Sequence, residues 1–136
     1  DKVTYKQRQS AVISIGAIKG LTAEKEKIIR SKIARILEQR KHRLSNKIPE
    51  TLLLKATIQN IFLNKFSEKI MVTWTLTSQN GFEIGNIKQE NIVEKVRLDN
   101  NWAEISNQIA RGATDGILDL IRAYSASKRQ SKNKVE

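Results

Sequence analysis

At 136 residues, with a formal net charge of +11 and no cysteine, the chain suits one domain whose core holds without disulfides or metal. The lack of cysteine excludes thiol catalysis, disulfide staples and cysteine-ligated zinc, and a single histidine, His42, excludes a histidine-rich metal site or paired imidazoles. The charge is uneven: residues 1–47 carry +9, 48–122 carry −1 and 123–136 carry +3, so the excess sits at the two ends. Lysine, isoleucine and asparagine are all abundant, a bias that codon usage in an AT-rich genome also gives. The charge therefore leaves two readings open, an anionic partner or plain solubility.

The opening DKVTYKQRQS (1–10) has no apolar periodicity and reads as a flexible lead-in. It has no apolar core of the kind a signal peptide carries. AVISIGAI (11–18) is a β-branched run that predicts a strand buried on at least one face, broken by Gly20. Thr22 offers a hydroxyl to the orphan amides of a following helix, and Glu24 and Glu26 suit the positive end of its dipole. That helix, AEKEKIIRSKIARILEQRKHRL (23–44), keeps Ile29, Ile33, Ile36, Leu37 and Leu44 within one arc. Pro49 cannot continue it.

TLLLKATIQNI (51–61) alternates Leu52, Leu54, Ala56 and Ile58 against Lys55, Thr57 and Gln59, the pattern of a strand with one buried face. KIMVTWTLT (69–77) alternates as strictly, with Ile70, Val72, Trp74 and Leu76 inward and Met71, Thr73, Thr75 and Thr77 outward. Asn80-Gly81 predicts a tight hairpin turn. FEIGNIKQENIV (82–93) keeps phase through Phe82 and Ile84, and a bulge at Gly85-Asn86 would return Ile87 to the core side. A last helix follows, with Trp102, Ile105, Ile109, Ala113, Ile117, Leu120, Ile121 and Tyr124 at helical spacing, capped by Asp99 or Asn100. Gly112 and Gly116, one turn apart, mark a helix face lying close to the sheet. SASKRQSKNKVE (125–136) is polar and basic and reads as a disordered tail, leaving 11–124 as a single domain. The order β-α-β-β-β-α predicts an α/β (α+β) two-layer sandwich, a four-stranded mainly antiparallel sheet with two helices on one face. The longest apolar runs fall well short of the ~20 residues that span a bilayer.

Two surfaces are candidates for binding. Arg35, Arg40, Lys41, Arg43 and Lys47 at the end of the first helix could neutralise phosphates of a nucleic acid or of an anionic lipid or polymer. The plainer reading is a solvated helix back, since these cations and Lys25, Lys27, Arg30 and Lys32 spread over everything outside the apolar arc. Lys55, Thr57, Gln59, Thr73, Thr75 and Thr77 would line the sheet face that helices leave uncovered, either as ordinary solvated strand residues or as a contact surface. Asp115 and Asp119, one turn apart, are better explained as an exposed helix face than as an acid/base or metal pair. No nucleophile, base and orienting group occur together, so no enzyme activity, catalytic residue, metal or cofactor is expected. The two tryptophans fall on core faces, so there is no aromatic platform for stacking bases.

The hairpin also carries a resemblance. Val72, Trp74, Leu76, Gly81, Ile84, Gly85, Ile87, Gln89, Asn91 and Val93, followed by Trp102 and a small-residue helix, fit the pattern V-x-W-x-(V/L)-x-x-x-x-G-x-x-(V/I)-G-x-(V/I)-x-Q-x-N-x-V. That pattern resembles a family of small alphaproteobacterial envelope lipoproteins of unknown function, over roughly residues 12–121. The resemblance implies a periplasmic accessory domain, held at the outer membrane by a lipid anchor, that binds an envelope protein or an anionic lipid or polymer. The lipid-bearing cysteine and signal peptide are not among these residues, so the anchor is an expectation about sequence upstream. A cytosolic RNA- or ribosome-associated protein, using the two basic ends on phosphates, is the competing expectation.

Overall fold

The computed structural model describes residues 13–44 and 50–134. The expected lead-in, the first two residues of the predicted opening strand, and Lys47 lie outside the described residues. Strand β1 (Ile13–Lys19) leads to helix α1 (Ala23–Arg40), which a single 3-10 turn (Lys41–Arg43) extends. Strands β2 (Leu52–Phe62), β3 (Ser67–Thr77) and β4 (Glu83–Glu94) follow, then a short helix α2 (Lys95–Asn100) and a long α3 (Trp102–Lys134). The sheet runs in the order β1-β2-β3-β4, with β1 parallel to β2 and the other pairs antiparallel. Helices pack against one face of this four-stranded sheet. That is the expected α+β sandwich, with α2 as one short helix more.

The local chemistry of β1 and α1 is as anticipated. Thr22 caps α1, its Oγ1 accepting from the Lys25 amide at 3.3 Å, with Glu24 and Glu26 in the first turn. Gly20 makes the connection possible: its φ is +104°, and a Cβ there would lie 1.8 Å from the Ile58 carbonyl oxygen. A parallel neighbour needs a crossover, and α1 supplies it. Its buried Ile29, Ile33, Ile36 and Leu37 meet Leu52, Leu54, Ala56 and Ile58 of β2 and Ile70, Val72, Trp74 and Leu76 of β3 in one core. Burial of that continuous apolar surface is the main source of stability, since each such side chain contributes ~1.5–3 kcal/mol when fully buried.

Three details depart from the expectations. First, the extra residue of the β3–β4 pairing is Ile84: Leu76 pairs with Gly85 and Thr77 with Glu83. The irregularity thus comes before Gly85, which faces the helices because a Cβ there would lie 2.6 Å from Leu120 Cδ2. Phe82, left outside the strand, is 66% exposed. Second, Gly81 alone takes positive φ in the turn, and its amide donates to the Ser78 carbonyl at 3.0 Å. Third, the expected disordered tail is helical to Lys134. No glycine or proline follows Gly116 in α3, and alanine, lysine, arginine and glutamine are good helix formers. Ser125 is buried, so packing reaches past Tyr124.

Candidate functional site

The face of the sheet away from the helices is where the strands bring polar side chains together. The register makes it a grid. Thr57 of β2 stands opposite Thr73, which stands opposite Lys88 of β4, and Lys19 of β1 completes that row. Lys55, Thr75 and Asn86 form the next row, and Gln59, Met71 and Glu90 the row beyond. Lys55, Thr57, Gln59 and Lys88 are exposed, whereas Met71, Thr73 and Thr75 in the central strand are half-buried by their neighbours. The stem of Lys55 lies over Gly16, where a Cβ would meet its Cγ at 2.9 Å. Among the described residues, Lys19, Lys55 and Lys88 make no ion pair, while Lys69 pairs with Glu90 at 3.8 Å. With strands about 4.8 Å apart, Lys19 and Lys88 bracket the two threonines from edges roughly 14 Å apart.

Thr77 is the expected member that the structure removes from this face. It is 7% exposed, its hydroxyl donates to the Leu53 carbonyl at 3.4 Å, and it lies where the β3–β4 register shifts.

The basic residues at the end of α1 are distributed differently. Arg40 and Arg43 both reach Asp115 of α3, at 3.7 and 3.2 Å, and Lys41 pairs with Glu38 at 2.9 Å. Arg122 joins the same seam, donating to Asp119 at 2.7 Å and to the Arg43 carbonyl at 3.2 Å. Arg35 is exposed and has no ion pair among the described residues. Asp115 thus ties α3 to the end of α1, while Asp119 pairs within α3 and steadies Arg122 on the Arg43 carbonyl. Exposed pairs of this kind contribute ~0–1 kcal/mol each, so they orient more than they stabilise.

A buried polar relay underlies the hairpin pattern. The Trp74 indole N–H donates to Gln89 Oε1 at 2.8 Å, and Gln89 Nε2 donates to the Ile109 carbonyl of α3 at 3.0 Å. An indole can only donate and a carbonyl can only accept, so these partners fix the amide orientation. A Cβ on Gly112 would lie 2.8 Å from that Nε2, and one on Gly116 would lie 2.7 Å from Ile87 Cδ1. At the other end of α3, the Trp102 indole donates to the Lys25 carbonyl at 3.0 Å.

Comparison with known proteins adds one finding. No protein-family model matches the chain, and no curated protein matches it in sequence. Solved structures do match in shape. A protein of the DUF330 family from Xanthomonas campestris aligns with TM-score 0.59 at 9% identity, over 88% of this chain and 90% of that one. A PelC dodecamer from Paraburkholderia phytofirmans aligns with TM-score 0.53 at 14% identity, over 79% and 86%. A minor lipoprotein from Acinetobacter baumannii aligns with TM-score 0.44 at 16% identity, over 79% and 94%. This chain shares the fold of the first two. Likeness at such identity concerns the fold, and the chemistry has to come from its own side chains.

Those side chains include some that sequence spacing could not collect. Lys19 and Lys88 join Lys55 and Thr57 only through the register of four strands. A second polar cluster is likewise nonlocal. Ser78, Asn80, Phe82, Tyr124, Ser127 and Lys128 line an open depression of about 340 Å³ between the β3–β4 turn and α3. The Tyr124 hydroxyl donates to Glu50, which also accepts from the Gln79 amide at 2.8 Å. The Tyr124 contact, then the Gln79 amide, holds the Glu50 carboxyl below its ordinary value. Burial, then the Glu50 carboxylate, pushes the Tyr124 phenol up to about 12. A carboxylate held ionised against a phenol held neutral is a structural clasp, and neither group is poised to exchange a proton near neutral pH.

Proposed function

We propose that the chain is a non-catalytic binding domain of the cell envelope, tethered by a lipid anchor upstream, whose uncovered sheet face takes an anionic envelope polymer or an acidic segment of a partner protein. The observation that carries this reading is the grid of the open face, where Lys19, Lys55 and Lys88 stand unpaired around Thr57, Thr73 and Thr75. Threonine hydroxyls both donate and accept, and lysine ammonium groups offer mobile donors, a combination suited to carboxylates and hydroxyls spaced along a chain. The envelope location draws on the hairpin resemblance, and the fold shared with PelC and the DUF330 protein is compatible with it. Among the described residues no helix is long and apolar enough to cross a membrane.

Two measurements test the reading. The gene sequence upstream of Asp1 is expected to encode a signal peptide ending in a lipid-attachment cysteine, and a start codon directly before Asp1 sinks the envelope half. For the site, fluorescent alginate serves as an acidic polymer probe. Reversing Lys19, Lys55 and Lys88 to glutamate is expected to weaken binding by on the order of tenfold or more, with a salt dependence to match. Reversing Lys27 and Arg111, exposed on the helical side, is expected to leave it unchanged. Equal loss in both sets would show attraction by overall charge and refute the face. Filter binding to RNA at rising salt tests the phosphate-clamp alternative, which requires strong salt-dependent affinity.

A further inference from the structure

Among the described residues, seven large hydrophobic side chains are exposed, and six of them gather at one end of the sheet. Ile61 and Phe62 end β2, Leu63 and Phe66 form the β2–β3 turn, Ile92 lies near the end of β4, and Val96 opens α2. The pairing brings them together: Ile61 and Ile92 flank Lys69 on the open face, while Phe62 stands on the opposite face, opposite Glu68. The Lys95 amide donates to the Phe66 carbonyl at 2.8 Å, which ties α2 to the turn. Phe62 is 68% exposed, Phe66 73%, Ile92 70% and Val96 68%. Singly exposed apolar residues are ordinary, but a contiguous group of this size marks a contact surface.

The turn is held in shape. Asn64 Oδ1 accepts from the amides of Phe66 and Ser67, at 2.8 and 2.9 Å, so Phe62, Leu63 and Phe66 are presented by a fixed loop. Lys65 is the one charged residue within that turn, and Lys95 places its ammonium 5.0 Å from the centre of the Phe62 ring. Neither lysine makes an ion pair among the described residues, whereas Lys69 and Arg97 just behind them are paired with Glu90 and Glu104. Two carboxylates share this end of the sheet, Glu68 opposite Phe62 and the exposed Glu94 opposite Ser67, and neither makes an ion pair among the described residues.

No described chain end supplies a cover for this tip. Ile13 pairs with Leu52 at the far end of β2, ten residues from Phe62 and roughly 33 Å away at ~3.3 Å per residue. Glu50, just before β2, is also at the far end, and α3 finishes there past Tyr124, which contacts Glu50. A cover must therefore come from outside or reach the length of the sheet.

We infer that the tip formed by Phe62, Leu63, Phe66, Ile92 and Val96 dips into the headgroup region of a phospholipid bilayer, with Lys65 and Lys95 on lipid phosphates. Two features select a bilayer over a protein groove. The apolar residues lie on both faces of the sheet end and on its turn, so they need a medium that surrounds them rather than a surface on one side. The lysines at the turn and against Phe62, without an ion pair among the described residues, match phosphates by charge, and the Lys95 ammonium sits over an apolar ring as interfacial lysines do. The contact is separate from the lipid anchor proposed above, whose attachment lies upstream of the opposite end.

The test uses the full chain without lipid in vesicle flotation, with phosphatidylcholine vesicles with and without phosphatidylglycerol. The chain is expected to float with vesicles, more so with phosphatidylglycerol. The double substitution Phe62→Ser with Phe66→Ser is expected to lower the partition by on the order of tenfold or more, since two apolar rings no longer leave water. Phe82→Ser, the exposed phenylalanine at the other end, is expected to change nothing, and circular dichroism checks that each variant folds. Lys65→Glu is expected to lose the phosphatidylglycerol effect. No flotation with either vesicle overturns the inference, as does flotation of the double variant at the level of the parent chain. A concentration-dependent dimer that the double variant abolishes, with no vesicle binding, assigns the tip to a second copy instead. None of these results bears on the anchor, which the upstream gene sequence decides.

Discussion

Alanine at Gly112 should cost stability and alanine at Gly116 should cost little, although the two sites are one helical turn apart. In α3 each replacement gains about 1 kcal/mol of helix propensity. Each new Cβ also meets a β4 side chain at less than contact distance, Gln89 Nε2 at 2.8 Å from position 112 and Ile87 Cδ1 at 2.7 Å from position 116. The Ile87 methyl is the far end of a half-buried side chain that can rotate aside, at a cost of about 0.5–1.5 kcal/mol if it leaves its rotamer. The Gln89 amide cannot yield so cheaply, because it holds the Trp74 indole at one end and the Ile109 carbonyl at the other. Trp74 is 1% exposed, so displacing the amide leaves a buried donor without a partner, a loss of about 1–3 kcal/mol beyond the other bond. Gly116→Ala should therefore lie within about 1 kcal/mol of the parent, and Gly112→Ala should be destabilised by about 1–3 kcal/mol. Urea unfolding followed by circular dichroism gives both values. In a nitrogen–proton correlation spectrum the Trp74 indole resonance should shift in Gly112→Ala while that of Trp102 stays in place. Equal or greater stability for Gly112→Ala, with an unmoved Trp74 resonance, would refute the idea of a rigid relay.

The Glu50–Tyr124 contact predicts a pH dependence with two edges. Glu50 has a depressed folded-state value, so its contribution is present above its unfolded value near 4.5 and is lost as pH falls through the folded one. Tyr124 has a raised value, so its contribution is present below its unfolded value near 10 and is lost as pH rises through about 12. Tyr124→Phe should cost about 1 kcal/mol at neutral pH, with the gap closing at both extremes, and should remove the late phase of a spectrophotometric tyrosinate titration. Arg30 predicts a site of backbone repair: its guanidinium donates to the Ile15 and Gly16 carbonyls, both at 2.9 Å, where the β1–β2 register shifts. Arg30→Met should destabilise by about 1–3 kcal/mol, and Arg30→Lys should recover only part of that in urea melts, because an ammonium lacks the planar fork.

Much of the fold was legible because each long element carried a clean period. Ile70, Val72, Trp74 and Leu76 could face only one way in a strand, and all four are in the core. The small residues of α3 announced a close approach, and Gly112 and Gly116 make it. Misplacements occurred where one residue changes phase. Phe82 and Ile84 look like a continuation of the alternation, yet the turn and the packing of Leu120 on Gly85 decide which of them is extra. The helical end of α3 was hidden for another reason: a polar, charged stretch reads as disorder when its support is a helix already nucleated upstream. The candidate face was half visible. Period two put Lys55, Thr57, Gln59, Thr73 and Thr75 on one side, but only the register across four strands adds Lys19 and Lys88. The apolar tip escaped notice because its members come from two strands, a turn and a short helix. Each looked like an ordinary strand-end residue by itself.

The hairpin pattern and the proposed surfaces occupy different parts of the molecule, and the physical reason is in the relay. Trp74, Gly85, Ile87 and Gln89 all point toward α3, where a tryptophan needs an acceptor and a helix needs room to descend. Such constraints are met inside, so the most distinctive residues of the chain specify how α3 seats and say nothing about a ligand. The residues that the fold does not constrain are the lysines of the open face and the apolar side chains at the end of the sheet, and on these the two proposals rest. The axis of the molecule separates its ends. The β2–β3 turn is at one, and the Glu50–Tyr124 clasp and the C-terminal part of α3 are at the other. At about 1.5 Å per residue, 33 residues give α3 roughly 50 Å, against about 40 Å for the twelve residues of β4, so the basic end of the helix runs past the sheet. The proposed face and tip meet where Lys69, between Ile61 and Ile92, pairs with Glu90 at 3.8 Å, so substitutions at that row should affect both the polymer and the vesicle assay, whereas those at Lys19 and at Phe66 should each affect one.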